Sequence, residues 1–392
     1  MQYQPSLSFS KMYTALPLSF FLENIGVFTA PFLMKTIKIR GTLLLGGLMV
    51  SASFLVCSAI KDPNALIWSY SVLFGVGAGM ITITSFFAAW DHFPNSRGKV
   101  TGIIMFGYSA STLVYGILFT FIVNPNNYRP SGSGESLSYG QEVNERVPYG
   151  MLIIGLVWGL KTLVGVLLIR PSNVHSKSSM SSPPGKFPLK KILATKQFWQ
   201  IFLAAYCSFL FWYFIAGIFK GYALKYIQDD HFLSYIGSAA ALSGAFGRIF
   251  WPGLLDYFEY RKVLSATIFL QFLGCISVHF IVEDKYLFGV VILAVFFCGS
   301  AMYPSLAVEV SKIFHSYSAQ VWPCVYFGVT LASLTSILLK YGGEHLGYLY
   351  IFGICGVFDL VSICIIWCTS EKQVRWNKTL EESLLMDINV KI

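Results

Sequence analysis

The sequence predicts an all-α polytopic membrane protein built as two helical bundles, with eleven spans divided five and six. Three observations predict it. Hydrophobic residues make up 55% of the 392-residue chain and charged residues only 12%, about half the charged share of a soluble domain, and the mean hydropathy is +0.62. The apolar residues fall in long unbroken runs, each near the roughly 20 residues a helix needs to cross a bilayer. The second part of the chain also partly repeats the first.

By length and hydropathy the spans are 12–34, 41–60, 65–90, 99–123, 149–169, 198–219, 233–255, 262–282, 286–308, 320–340 and 346–368. Helices are expected because the runs lack the ten-residue alternation of a membrane barrel. Connections on one side of the membrane hold 18 of the 28 Lys and Arg residues, and those on the other side hold 8. The richer side is expected to be cytoplasmic, which places the N-terminus outside and the C-terminus inside. The resulting organisation is an N-terminal bundle over 1–170, a basic Ser/Pro-rich cytoplasmic linker over 171–196, a C-terminal bundle over 197–370 and a cytoplasmic tail over 371–392. Residues 124–148 form a long external loop rich in Gly, Ser, Asn and Pro.

The net charge of +9 does not form the concentrated basic footprint of a nucleic-acid-binding protein, and no nucleic-acid partner is expected. The eight cysteines lie within apolar runs without CxxC pairs, as small buried hydrophobes do. The histidines are scattered without metal-ligand spacing, and no Walker lysine motif occurs. No enzyme activity, cofactor or metal is therefore expected. GVGAGM (Gly75–Met80) lies inside an apolar run, where it reads as helix packing rather than a phosphate loop.

At an offset of 221, GVFTAPFLMKTIKIRGTLL aligns with GRIFWPGLLDYFEYRKVLS, pairing Gly26 with Gly247, Pro31 with Pro252 and Arg40 with Arg261. Near the same offset GVGAGM lies over FCGSAM. Duplicated helical halves are a mark of secondary transporters, whose substrate site lies near the midplane between repeats. In this register span 12–34 mates with 233–255, so span 198–219 has no mate and the first half lacks an opening helix.

Charges inside spans are costly and are functional candidates. Four lie well inside: Glu23, Lys161, Arg248 and Asp359. Arg248 shares a helical face with Gly237, Ala241, Gly244, Ala245 and Pro252. Small residues allow a neighbouring helix or a ligand to approach, and a guanidinium can grip a carboxylate with two parallel hydrogen bonds. Snorkelling toward Asp256 or water is the competing reading. Glu23 lies with Ser19, Gly26 and Ala30 on another small face, where a carboxylate suits either proton coupling or an interhelical contact. Lys161 and Asp359 align when Gly155 is placed on Gly353, on outer spans that favour scaffolding.

The two-half plan, the central basic segment and the turn GLLDYFEYRK, with Gly253, Leu255, Asp256, Arg261 and Lys262, resemble the major facilitator superfamily and its signature turn. YALKYIQDDHFLSYIGSAAALSGAFGRIFWPGLLD, WDHFPNSRGKVTGIIMFGYSAS and NPNNYRP…NERVP are similar to its oxalate/formate antiporter-like and monocarboxylate-transporter-like branch. The resemblance implies a two-bundle protein moving a small organic anion by alternating access, with Arg248 binding the carboxylate, and a monomer is expected. It also implies Asp256 and Arg261 as gating residues, and Glu23 is the candidate proton site within substrate binding. Four departures stand against it: Lys35 where the first-half signature carries Asp, no Gly-Pro antiporter pattern in the fourth span, no mid-span lysine in 320–340, and the missing opening helix. They motivate a second reading, a non-transporting relative acting as receptor or scaffold.

Overall fold

The computed structural model describes residues 15–126, 128, 140–169, 189–227, 229–314 and 317–368. Most of the basic linker, the middle of the 124–148 loop and the tail expected over 371–392 lie outside these residues. The helices are α1 (Ala15–Ala59), α2 (Pro63–His92), α3 (Arg97–Val123), α4 (Gln141–Leu168), α5 (Leu189–Leu193), α6 (Lys196–Ala223), α7 (Asp230–Leu254), α8 (Tyr260–Ile281), α9 (Lys285–Gly299), α10 (Met302–Ile313), α11 (Ser318–Leu346) and α12 (Tyr348–Cys368). Among the described residues, each predicted span falls mainly on helix.

Two spans differ in detail from their sequence outline. The first two share α1, which turns at Lys38 with φ 61° and ψ 175°, a region almost confined to glycine. The ninth is divided into α9 and α10 at Ser300–Ala301. Pro304 lies just beyond the break, and having no N–H it cannot bond back to the Ser300 carbonyl. Nine of the described helices or joined helix pairs are long and apolar enough to cross a membrane. α7 has the length, but Arg248 and its Gly and Ser residues lower its hydropathy.

Contacts divide the described residues into two compact units, 15–88 with 111–169, and 89–110 with 189–368. In the first unit, the opening limb of α1 packs on α2 through glycines. A methyl group at Gly26 would overlap the Val76 carbonyl, and one at Gly79 would overlap the Glu23 carbonyl. The second limb of α1 packs on α4, where Ser51 Oγ donates to the Gly155 carbonyl at 2.6 Å. Arg40 ties the same pair together by donating from Nε to the Ile169 carbonyl at 2.8 Å, with its Nη2 donating to the same oxygen. The cation thus sits at the carboxyl end of α4, where the helix dipole favours it.

In the second unit α6 packs against α11 and α12, α7 against α9, and α8 against α9 and α12. Phe211, Phe214, Ile215 and Tyr222 of α6 form a buried core with Phe288 and Ile292 of α9 and Phe352 and Cys355 of α12. Several helix starts are fixed by side chains that satisfy first-turn amides. Thr195 accepts from Phe198 N, Asp229 from Phe232 N, and Asp284 from Tyr286 N and Leu287 N. All eight cysteines are free; Cys57, Cys207, Cys275, Cys298 and Cys355 are buried, whereas Cys364 and Cys368 are exposed on α12.

The 221-residue register recurs in the packing. Gly26 presses on the Val76 carbonyl, and its mate Gly247 presses on the Phe297 carbonyl, which is Val76 shifted by the same offset. The close approach of Gly79 to the Glu23 carbonyl has its mate in Ser300 Oγ, which donates to the Gly244 carbonyl at 2.7 Å. The α1–α2 and α7–α9 pairs therefore use the same contacts in the same register.

Candidate functional site

The second unit brings α3, α7 and α10 together around the turn after α7. Small residues set the distances. A Cβ at Gly102 would lie 2.5 Å from the Arg248 carbonyl and 2.9 Å from Ile249 Cα, and one at Gly98 would overlap the Pro252 carbonyl. Only glycine at these two positions, one helical turn apart on α3, lets the α3 and α7 backbones meet so closely.

That approach lays the Arg248 side chain along α3. Arg248 is half-buried, its Nη1 reaches the Met105 carbonyl at 3.5 Å, and its guanidinium carbon lies 5.5 Å from the centroid of the Tyr108 ring. The long hydrogen bond is a weak one, while the ring face attracts the cation. Together they orient a planar fork of donors. On other faces of α7, Gly244 meets Ser300 and Phe296, and Gly237 meets Phe219 of α6. The small-residue face read from sequence thus serves several helix contacts, and Ala241 on it is exposed.

Two turns further along, Asp256 caps α3. Its Oδ1 accepts from Gly98 N at 2.9 Å and its Oδ2 from Lys99 N at 3.0 Å. First-turn amides have no acceptor within their own helix, and the positive end of the helix dipole favours a carboxylate there. Lys99 Nζ donates to the Tyr257 hydroxyl and lies 4.7 Å from that ring's centroid. Arg97 donates to Ser311 Oγ at 3.2 Å, and Lys312 of α10 donates to the Leu255 carbonyl at 2.9 Å. The turn is therefore held by α3 and by α10.

Arg261 engages a different partner from Asp256. Arg261 and Lys312 both lie within electrostatic reach of the Glu309 carboxylate, on α10. Glu23 lies in the other unit, 6% exposed, its backbone against the glycine stripe of α2. Asp359 is fully buried and accepts from Gln271 Nε2 at 3.0 Å. The Lys161 ammonium sits 3.1 Å from the centroid of the Trp158 ring and 5.1 Å from that of Tyr115.

Sequence reasoning did not single out Gly98, Gly102, Met105, Tyr108, Lys99 or Glu309. The glycine pair at four-residue spacing was a readable signal. Glu309 stood one residue beyond the expected end of its span at 308, and so escaped the search for charges within the membrane.

The Major Facilitator Superfamily model matches residues 1–332. Apicoplast pyruvate carrier 1 of Toxoplasma gondii is 22% identical over 270 residues, 57% of this chain and 49% of the carrier, so the match spans about half of that protein's length. The crystal structure of the E. coli fucose:proton symporter FucP superposes with a TM-score of 0.69 at 13% identity, covering 91% of each chain. The human organic anion transporter MFSD10 gives 0.67 at 12% identity, covering 91% of this chain and 83% of that one. At such identities the superpositions speak for the fold, and the family match, which runs over most of the sequence, speaks for descent. The chain belongs to the Major Facilitator Superfamily, a family of membrane transporters and not of enzymes.

Proposed function

We propose that this protein is a secondary active transporter that moves a small monocarboxylate-like anion by alternating access, with Arg248 as the anion anchor. The observation that carries the proposal is the setting of Arg248, half-buried within a predicted span and oriented by the Met105 carbonyl and the Tyr108 ring. A guanidinium presents donors that match a carboxylate bidentately and remains charged at physiological pH. The names of a pyruvate carrier and an organic anion transporter among the similar proteins agree with an anionic solute.

In this reading the α7–α8 turn is cytoplasmic and works as a gate. Asp256 holds the amino end of α3 while the gate is shut, and Arg261 steadies the same turn through Glu309. Releasing two amide hydrogen bonds and a helix-dipole contact is a small enough cost for a solute-driven change to overcome. Glu23 is the candidate proton site, and the monomer is the working unit.

Ligand-dependent thermal stabilisation of the purified protein tests the anchor. Pyruvate-class monocarboxylates are expected to raise the unfolding temperature of the wild type, neutral sugars are not, and Arg248→Ala is expected to abolish the carboxylate response. Equal stabilisation of wild type and variant would overturn the assignment.

A further inference from the structure

We propose that the groove between α6 and α12, at the end of the second unit expected to be cytoplasmic, binds one anionic phospholipid whose headgroup carries hydroxyl donors, a lipid of the phosphatidylinositol class. The proposal is independent of the transported solute.

The groove has a volume of about 510 Å³ and lies within the second unit. Trp199 and Leu203 form its wall on α6, and Val357, Leu360, Val361 and Cys364 its wall on α12. Their spacings of three, four and seven residues keep each set on one helix face. Trp199, Leu203, Val357 and Val361 are between 42% and 61% exposed, so the walls are apolar and open to the bilayer. The two helices touch behind them, where buried Ser362 donates from Oγ to the Ala204 carbonyl at 3.0 Å. Such a channel accepts one hydrocarbon chain.

The mouth of the groove gives it selectivity. Lys196 lines it and is exposed, and Lys190 and Lys191 stand on α5 beside it. No acidic residue occurs between Leu189 and Leu203. α5 is held against the start of α6 because Ile192 is buried and Trp199 Nε1 donates to the Leu193 carbonyl at 2.7 Å. Lysines at the cytoplasmic surface attract anionic lipid headgroups, and tryptophan favours the same interfacial level.

A second observation points to a donor on the ligand. Gln200 lines the groove one turn beyond Lys196 and is 8% exposed. Its Nε2 donates to the Cys368 carbonyl at 3.3 Å, while its buried Oε1 has no hydrogen-bond partner among the described residues. A buried acceptor left without a donor is costly. A phosphocholine headgroup has no donor to offer, and an ammonium donor would stand among the lysines. A hydroxyl satisfies Gln200 while the neighbouring phosphate meets Lys196 and one acyl chain lies along the walls.

The test is photolabelling of the full chain in phosphatidylcholine liposomes, using phosphatidylinositol with a diazirine in its acyl chain and the matching phosphatidylcholine probe, with adducts mapped by mass spectrometry. The phosphatidylinositol probe is expected to label the groove more strongly than the exposed α8 surface at Phe269 and Leu273, and the phosphatidylcholine probe to label both alike. Lys196→Gln is expected to lower the groove labelling roughly fivefold, the worth of one lysine beside an anionic headgroup. Gln200→Leu is expected to lower it roughly twofold to tenfold, the range of one hydrogen bond. Val361→Trp, which fills the groove from the lipid-facing side, is expected to remove the excess over α8. Equal labelling of groove and α8 by both probes, groove labelling indifferent to Lys196→Gln and Gln200→Leu, or capture of residues 369–392 in place of lipid by benzoylphenylalanine at Val361 would each overturn the proposal.

Discussion

Replacing Asp256 with alanine isolates the contact that holds α3 to the turn after α7. The substitution removes both acceptors for Gly98 N and Lys99 N without adding bulk. Loss of an N-cap costs about 0.5–2 kcal/mol, and loss of a negative charge at the helix amino end adds about 0.3–1 kcal/mol. The sum is about 1–3 kcal/mol, so the first turn of α3 should open roughly fivefold to a hundredfold more often, at about 1.4 kcal/mol per factor of ten. Hydrogen–deuterium exchange in lipid nanodiscs reads this opening directly. Amides of residues 97–102 should exchange faster by that factor in Asp256→Ala, while amides around Ile215, in the core of α6, should not change. Asp256→Asn keeps one acceptor and loses the charge, and its effect should be intermediate. Unchanged exchange at residues 97–102 in the alanine variant would refute the capping role.

Three further expectations concern stability, each measured by thermal unfolding in detergent. Gly247→Ala and Gly26→Ala should each destabilise by about 1–3 kcal/mol, the range for forcing a group into a packed contact, because their Cβ atoms would meet backbone carbonyls; Gly116→Ala and Gly165→Ala, which have open space, should stabilise by up to about 1 kcal/mol. Lys38→Gly should stabilise the protein, since a lysine at φ 61° and ψ 175° carries about 1–3 kcal/mol of backbone strain. Arg40→Ala should lower stability by about 1.5–3 kcal/mol, the range for a charged hydrogen bond, and should speed exchange at the carboxyl end of α4.

The repeat and the helices were the most legible features, because both rest on periodic physical demands. Bilayer thickness sets span length, and close backbone approach demands glycine at fixed spacing, so Gly26 and Gly247 announced their shared contact. The break at Ser300 was not legible, since a single apolar run continues through it and only Pro304 hints at the missing donor. Among site residues, position could be read and partnership could not. Arg248 stood out as a charge in an apolar run, but its neighbours Met105 and Tyr108 are more than 100 residues away in sequence and belong to ordinary apolar helix. Asp256 was found through its signature turn, yet its acceptor role depends on the amino end of α3, whose amides leave no trace in residue identity. Asp256 and Arg261 were both read from that turn, but nothing in residue identity shows that Asp256 caps α3 or that Arg261 lies within electrostatic reach of Glu309 on α10.

The central claim is that Arg248 anchors an anionic solute during transport. Uptake of radiolabelled pyruvate into proteoliposomes, with wild type and Arg248→Ala reconstituted at equal density, tests it most directly. A hydrogen-bonded contact to a charged group is worth about 1.5–3 kcal/mol, so apparent affinity should fall roughly tenfold to a hundredfold and saturable uptake should vanish at micromolar substrate. Saturable uptake by the variant, equal to that of the wild type, would contradict the account.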